Sequence, residues 1–432
     1  MKFETVKTFV LVILVGVSLL LTLALWSFKP NLKFLGDMDY AEADIGGQGN
    51  LTKKDVVAPK NIIFQINSRY YGFSNPVEGQ SLYQDMQSWV LYNFKTSEAN
   101  GPPDDDYQIE LLFPDELPME IADDLFTFDE EPDLPEWSFQ RVFITFHPND
   151  SSLEIQFLST SGDRRASAIV NNSKKYNQLW AYLTKQEGLS EYIQYKESGI
   201  PIYVPKNLQE MTERKLTIKN IDPDNLVDAL FRNPEIVRRD VTNVGETYYT
   251  DSARGMRVKE DGRSIEFVNP LNTNYERMRA FDLLETSMAS INEQKGWTGD
   301  FNLEELRPST NFVRFRMYYD GYPVFNSSLA VIEQEWRNQQ LYKYQRPLFS
   351  YNSPPIGGSS VKLRSGNDVI YFIENASYKA ENIDDIQIGY HLVYEEDDLS
   401  FYLTLKPAWY INYNGSWQEI NFDELSPNKK GG

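Results

Sequence analysis

Residues 8–28 constrain this chain more than any other stretch: TFVLVILVGVSLLLTLALWSF runs for 21 residues without a charge. A helix of that length crosses the ~30 Å hydrocarbon core of a bilayer. One charge at its centre would cost about 2.5–3.5 kcal/mol, whereas each Leu, Ile, Val or Phe gains a few tenths. Every later apolar run is soon broken by Asp, Glu, Lys or Arg. The pattern therefore predicts a single membrane span near the start of a 432-residue chain. Its apolar core exceeds the roughly 7–15 residues of a cleaved signal peptide. Lys7 on one side and Trp26, Phe28 and Lys29 on the other are the interfacial anchors of a retained helix. Lys2 and Lys7 nearly balance Lys29 and Lys33, so orientation follows the commoner topology: residues 1–7 in the cytoplasm, the large remainder outside the cell.

Charge narrows the function classes. The formal net charge is −21, the wrong sign for nucleic acid, whose phosphates need a basic surface. The absence of Cys excludes a disulfide scaffold, thiol nucleophiles and Cys-based zinc sites. The length beyond the span suits two or three domains, each large enough to bury a core.

Residues 29–60, rich in Gly and poor in apolar side chains, read as a stalk. A first domain spans 61–205, with a strand at Asn61–Ile66 and helices at 82–94 and Ser173–Lys185. Within it, residues 96–140 hold fifteen Asp or Glu, six Pro and no Lys or Arg. This segment reads as a solvated excursion with short strands, the alternative being a docking face for a cationic partner. A central α+β domain covers 206–296. Asp222-Pro223 starts a helix there that buries Leu226, Val227, Leu230 and Phe231, and Met278, Phe281, Leu284, Met288 and Ile291 recur at helical spacing. A β-rich domain covers 297–425 and a tail 426–432. Asp261-Gly262, Asp320-Gly321 and Asn414-Gly415 suit two-residue hairpin turns, because these residues tolerate positive φ. The fold class is α+β: one N-terminal transmembrane helix, then a three-domain extracytoplasmic region of antiparallel sheets with a few helices.

No constellation stands out for catalysis. Only two histidines occur, His147 and His391, and each reads as an ordinary surface or satisfied side chain. Two His cannot make a three-His zinc site, and His-Glu-x-x-His, Gly-x-Ser-x-Gly and phosphate-loop motifs are missing. No catalytic, cofactor-binding or metal-binding residue is assigned. Two-carboxylate hydrolysis stays open as a class in so acidic a chain.

The order of features resembles a known family. Lys2-Phe-Glu-Thr-Val-Lys7-Thr8 leads into Phe9-Val-Leu-Val-Ile-Leu, Ser18-Leu-Leu-Leu-Thr22 and Leu25-Trp26-Ser27-Phe28-Lys29-Pro30. Beyond lie Asp222-Pro-Asp-Asn-Leu-Val-Asp-Ala-Leu-Phe231 and Tyr319-Asp-Gly-Tyr-Pro-Val-Phe325 in a Cys-free chain. This arrangement resembles the YycH family of Gram-positive bacteria, accessory proteins of the WalK–WalR two-component system. The resemblance implies a non-enzymatic, membrane-anchored regulator. Its partners would be a WalK/YycG-like sensor histidine kinase and a YycI-like accessory protein, in signal transduction that controls cell-wall metabolism. It supplies no catalytic residues.

Within the span, Leu11, Val15, Ser18, Thr22 and Leu25 share one helical face. It is the expected contact surface, because membrane helices associate through small residues and polar side chains. The alternatives are an extracellular binding module merely tethered by its helix and, third, an envelope hydrolase.

Overall fold

The computed structural model describes residues 44–422, apart from 197–198, 243–244, 260–261, 271–274, 327, 352–353, 377 and 398–399, together with Leu14, Val15 and Ser18. The expected span lies outside the described residues except for those three, which are helical and exposed. No helix among the described residues is long and apolar enough to cross a membrane.

Ten strands from the first 205 residues form one sheet, with Tyr107–Pro118 in its interior between Asn61–Ile66 and Ser138–His147. This corrects the expectation of a solvated excursion at 96–140. Ile109, Leu111, Leu112 and Phe113 are all buried, so both faces of the strand are covered. The acidic composition concealed a central strand because its buried carboxylates find donors in Arg141, Tyr203 and Leu306, outside residues 96–140. Glu110, itself buried, accepts from Arg141 Nε at 2.5 Å and from the Tyr203 hydroxyl at 2.7 Å. Burial pushes the Tyr203 hydroxyl well above the usual phenol range, and Glu110 adds to the shift. A chain of edge-to-face rings fills the core beside this strand: Phe113–Phe139 at 5.7 Å, Phe139–Phe157 at 5.2 Å and Phe157–Phe126 at 5.6 Å.

The helix expected at 82–94 is displaced. It runs Pro76–Met86, capped by the Asn75 side chain, which accepts from the Val77 N–H at 3.2 Å. Val90–Glu98 is a strand. Leu82 and Met86 belong to the helix, but Val90-Leu-Tyr-Asn-Phe94 has the β-branched and aromatic content of a strand, which the helical spacing overrode. Ser173–Lys185 is helical as expected, with the Asn172 side chain accepting from the N–H groups of Lys174 and Lys175.

Residues 44–60, expected as part of a stalk, are instead docked on the body. Ile45 donates to the Gln294 carbonyl and Gly47 to Lys295, while Gln48 and Trp297 exchange backbone hydrogen bonds at 3.0 and 3.2 Å. Gly47 is required by this approach, since a Cβ there would lie 2.5 Å from the Trp297 carbonyl oxygen. Val56 and Val57 are fully buried. Glycines read as a sign of looseness are the means of close contact.

The segments read as central and C-terminal units share one 14-stranded sheet. Arg214–Asn220 pairs with Ser400–Tyr413, and Ser264–Val268 pairs with Gln340–Pro347. Such pairings join residues over 70 positions apart and leave no local trace in the sequence. The turns, by contrast, are local. Asp320 and Gly321 have φ of 49° and 77°, Asn414 and Gly415 of 54° and 72°, as two-residue hairpins need. The Asp261-Gly262 turn falls partly outside the described residues, but its flanking strands pair from Lys259 to Ser264.

Arg346 organises the region after helix Ala280–Glu293. Although fully buried, it has no carboxylate hydrogen-bond partner. Nη2 donates to the Gly296 carbonyl at 2.8 Å and to the Thr298 hydroxyl, Nη1 to the Tyr344 hydroxyl and Nε to the Pro347 carbonyl. Its charge thereby faces the C-terminal end of the helix dipole. Replacing Arg346 by Leu strands these buried acceptors and is expected to cost about 2–4 kcal/mol. Urea denaturation of the full chain in detergent, with and without the substitution, measures it.

Candidate functional site

The residues expected on the helix face fall largely outside the described part: Leu11, Thr22 and Leu25 do so entirely, as do the anchors Lys7, Trp26, Phe28 and Lys29. In the described body, two clefts lie where the ten-stranded sheet meets the larger one.

The junction is built by a break in strand Tyr107–Pro118. Its register with Ser138–His147 shifts between Leu112 and Leu117, as a proline inside a strand requires. Pro114, Asp115 and Glu116 occupy the break. Asp115 accepts the Leu306 N–H at 2.7 Å and the Glu116 N–H at 2.8 Å, pinning strand Asp300–Arg307 to the first sheet. Burial pushes the Asp115 carboxyl up to about 6; the two N–H donors oppose this, and the charges of Glu305 and Glu116 add to it.

Two clefts open at this junction. One, of about 520 Å³, is lined by Asp115, Glu116, Arg277, Arg279, Glu305 and Arg307 among others. The acidic segment forms ion pairs near it: Glu120 with Arg279, and Asp124 with Lys53 at 3.0 Å. The second cleft, of about 300 Å³, is lined from the first sheet by Lys60, Pro114, Gln140 and Ile200. Lys60 Nζ lies 2.5 Å from Asp385 Oδ2, both side chains nearly buried, and Arg316 Nε lies 2.7 Å from Glu304 Oε1. The Arg316 guanidinium sits over the Phe325 ring at 4.5 Å. Phe325 in turn stacks on Tyr410 at 3.8 Å and approaches Trp417 at 5.0 Å. Gly389 makes room for this aromatic floor: a Cβ there would lie 2.5 Å from the edge of Phe325.

Neither histidine lines these clefts, although His391 lies behind the aromatic floor of the second. His147 is 3.5 Å from Glu154, and His391 Nδ1 lies 3.0 Å from Glu419 and 3.3 Å from the Tyr410 hydroxyl. No cluster of three metal-ligating side chains occurs among the described residues. Sequence reasoning missed Lys60, Asp115, Glu304 and Asp385. Only Asp115 carried a local signal, a carboxylate directly after the strand proline Pro114.

These features sit on the architecture of a known protein family. Residues 4–188 match the family described as YycH protein, N-terminal domain, and residues 201–426 match YycH protein, C-terminal domain. The chain belongs to the YycH family. A curated relative, the "Two-component system WalR/WalK regulatory protein YycH" of Bacillus subtilis (strain 168), is 22% identical over 98% of either chain. The crystal structure of YycH from Bacillus subtilis superposes with a TM-score of 0.72 at 19% identity, covering 88% of this chain and 100% of that one. The observed fold, mostly sheet with a few helices, is therefore the YycH fold.

Because the Asp115 carboxyl holds its proton more tightly folded than unfolded, its contribution to stability is present at low pH. It is lost as pH rises from about 4 through about 6. Comparing the unfolding free energy of the full chain with that of Asp115→Asn isolates this group. The difference is expected to move against the native chain by on the order of 1–2 kcal/mol between pH 4 and 7, after discounting for partial exposure. A pH-independent difference would show that the carboxyl does not titrate in that window.

Proposed function

We propose that this chain is a non-enzymatic, membrane-anchored regulator of a WalK-type sensor histidine kinase, acting with a YycI-like accessory protein on cell-wall metabolism. The observation that carries this reading is family membership across both halves. The N-terminal match begins at residue 4 and so takes in the apolar stretch 8–28. A relative matched over 98% of either chain is named as a WalR/WalK regulatory protein.

In this reading residues 8–28 span the cell membrane with residues 1–7 in the cytoplasm and the body outside. The face Leu11, Val15, Ser18, Thr22 and Leu25 packs against transmembrane helices of the kinase. Such packing has no hydrophobic drive in lipid and depends on close approach at small or polar positions. A contact that differs between two kinase states by about 1–3 kcal/mol changes their ratio by roughly 5- to 150-fold, within reach of one helix.

Exchanging residues 8–28 for an unrelated spanning sequence is expected to shift transcriptional output of the cognate response regulator by about 5-fold or more at equal protein level. An unchanged output would transfer the regulatory contact to the body and favour a tethered binding module. Deleting residues 96–140 cannot make that distinction, since it removes the interior strand Tyr107–Pro118.

A further inference from the structure

The larger sheet ends in an open edge. Strand Arg238–Val241 stands last in its strand order and pairs with Thr247–Thr250. Sheet edges are commonly closed by a bulge or a proline. This strand has neither, and all four of its side chains are exposed. The Thr242 N–H donates to the Glu246 carbonyl at 2.8 Å, which fixes the parity of the ladder. Opposed residues of an antiparallel pair alternate between hydrogen-bonded and non-hydrogen-bonded. Arg238 and Asp240 therefore turn their main-chain groups toward Thr247–Thr250, and the N–H and C=O of Arg239 and Val241 point outward from the edge.

Charge and apolar exposure select the occupant. In a chain of net charge −21, residues 232–241 hold Arg232, Arg238 and Arg239 against Glu235 and Asp240, three positive against two negative, a net of +1. Among the described residues no ion pair engages these arginines; Arg239 lies 5.6 Å from the Tyr249 ring. Val241, 69% exposed, and Ile236, 60% exposed, add apolar surface at the same edge. A second copy of the strand fits this edge poorly, because like charges directly opposed are unfavourable. Opposing Arg239 to Val241 sets Asp240 against Asp240, and opposing Arg239 to itself pairs two cations. Centring on Val241 brings neither Arg238 nor Arg239 opposite a carboxylate.

We propose that this edge docks an extended acidic segment of a partner protein, which adds a strand beside Arg238–Val241. Its main chain pairs with Arg239 and Val241, its carboxylates face Arg238 and Arg239, and an apolar side chain meets Val241. Strand addition draws affinity from main-chain hydrogen bonds and specificity from the side chains set opposite. Nothing in this docking depends on where residues 8–28 pack.

The probe is a fluorescein-labelled peptide, Val-Thr-Glu-Glu-Val, which in antiparallel register sets its two Glu opposite Arg239 and Arg238. It is titrated with the full chain in detergent micelles and followed by fluorescence anisotropy. The expected result is saturable binding with a dissociation constant below about 0.2 mM. The same peptide with Lys in place of Glu should bind at least roughly tenfold more weakly. Val241→Pro removes an outward N–H that the chain's own ladder does not use, so the body should fold as before while the acidic peptide binds at least roughly tenfold more weakly. Should Val241→Pro unfold the hairpin, Arg239→Glu decides, with an expected loss of roughly fivefold or more. The proposal is overturned by an absence of saturation up to about 0.5 mM, by equal affinity for the Lys peptide, or by binding that the folded variants leave unchanged. Dimerisation of the chain alone, abolished by Val241→Pro, would assign the edge to a second copy and overturn it as well.

Discussion

The strand Tyr107–Pro118 is the constraint on which the body depends. It lies inside one sheet and, through its break, holds the other. A strand in that position cannot carry carboxylates unless each finds a donor, because an uncompensated buried charge is costly. Glu110 is met by Arg141 and Tyr203, and Asp115 by two backbone N–H groups. Removing either donor set would leave a charge with nowhere to go. The same strand therefore fixes the interior of the first sheet and the seam between the two.

That seam explains why the described body behaves as one unit. A single apolar cluster runs from Ile45 to Ile420 through both sheets. The Asp320-Gly321 turn rests against Pro76 so closely that a Cβ on Gly321 would lie 2.7 Å from its ring. Lys60 and Asp385, 325 positions apart, form a nearly buried pair across the same boundary. These contacts favour one rigid body over independently moving lobes, since well-packed interiors do not deform continuously.

The sequence was most legible where information is local. Asp320-Gly321 and Asn414-Gly415 form the turns their residues permit, and Ser173–Lys185 is the helix that its sequence predicts. Legibility failed where compensation is distant. The acidity of 96–140 suggested solvent because Arg141, Tyr203 and the Leu306 N–H, which meet its buried carboxylates, lie outside that segment in the sequence. The second cleft draws on positions 60, 304, 316, 385, 412 and 417, which no spacing rule links. At 82–94 the helical spacing was followed, and the β-branched and aromatic content of Val90–Phe94, which forms a strand, was not weighed.

The seating of residues 45–48 on the carbonyls of Gln294, Lys295 and Trp297 has a mechanical consequence. Any load arriving along the chain from its N-terminal side meets the body there, across several backbone hydrogen bonds in a row. Arg346 braces the same turn from beneath through the Gly296 carbonyl. Residues 45–48 are thus tied by their main chain to a corner beside helix Ala280–Glu293, away from the interior strand Tyr107–Pro118 of the first sheet.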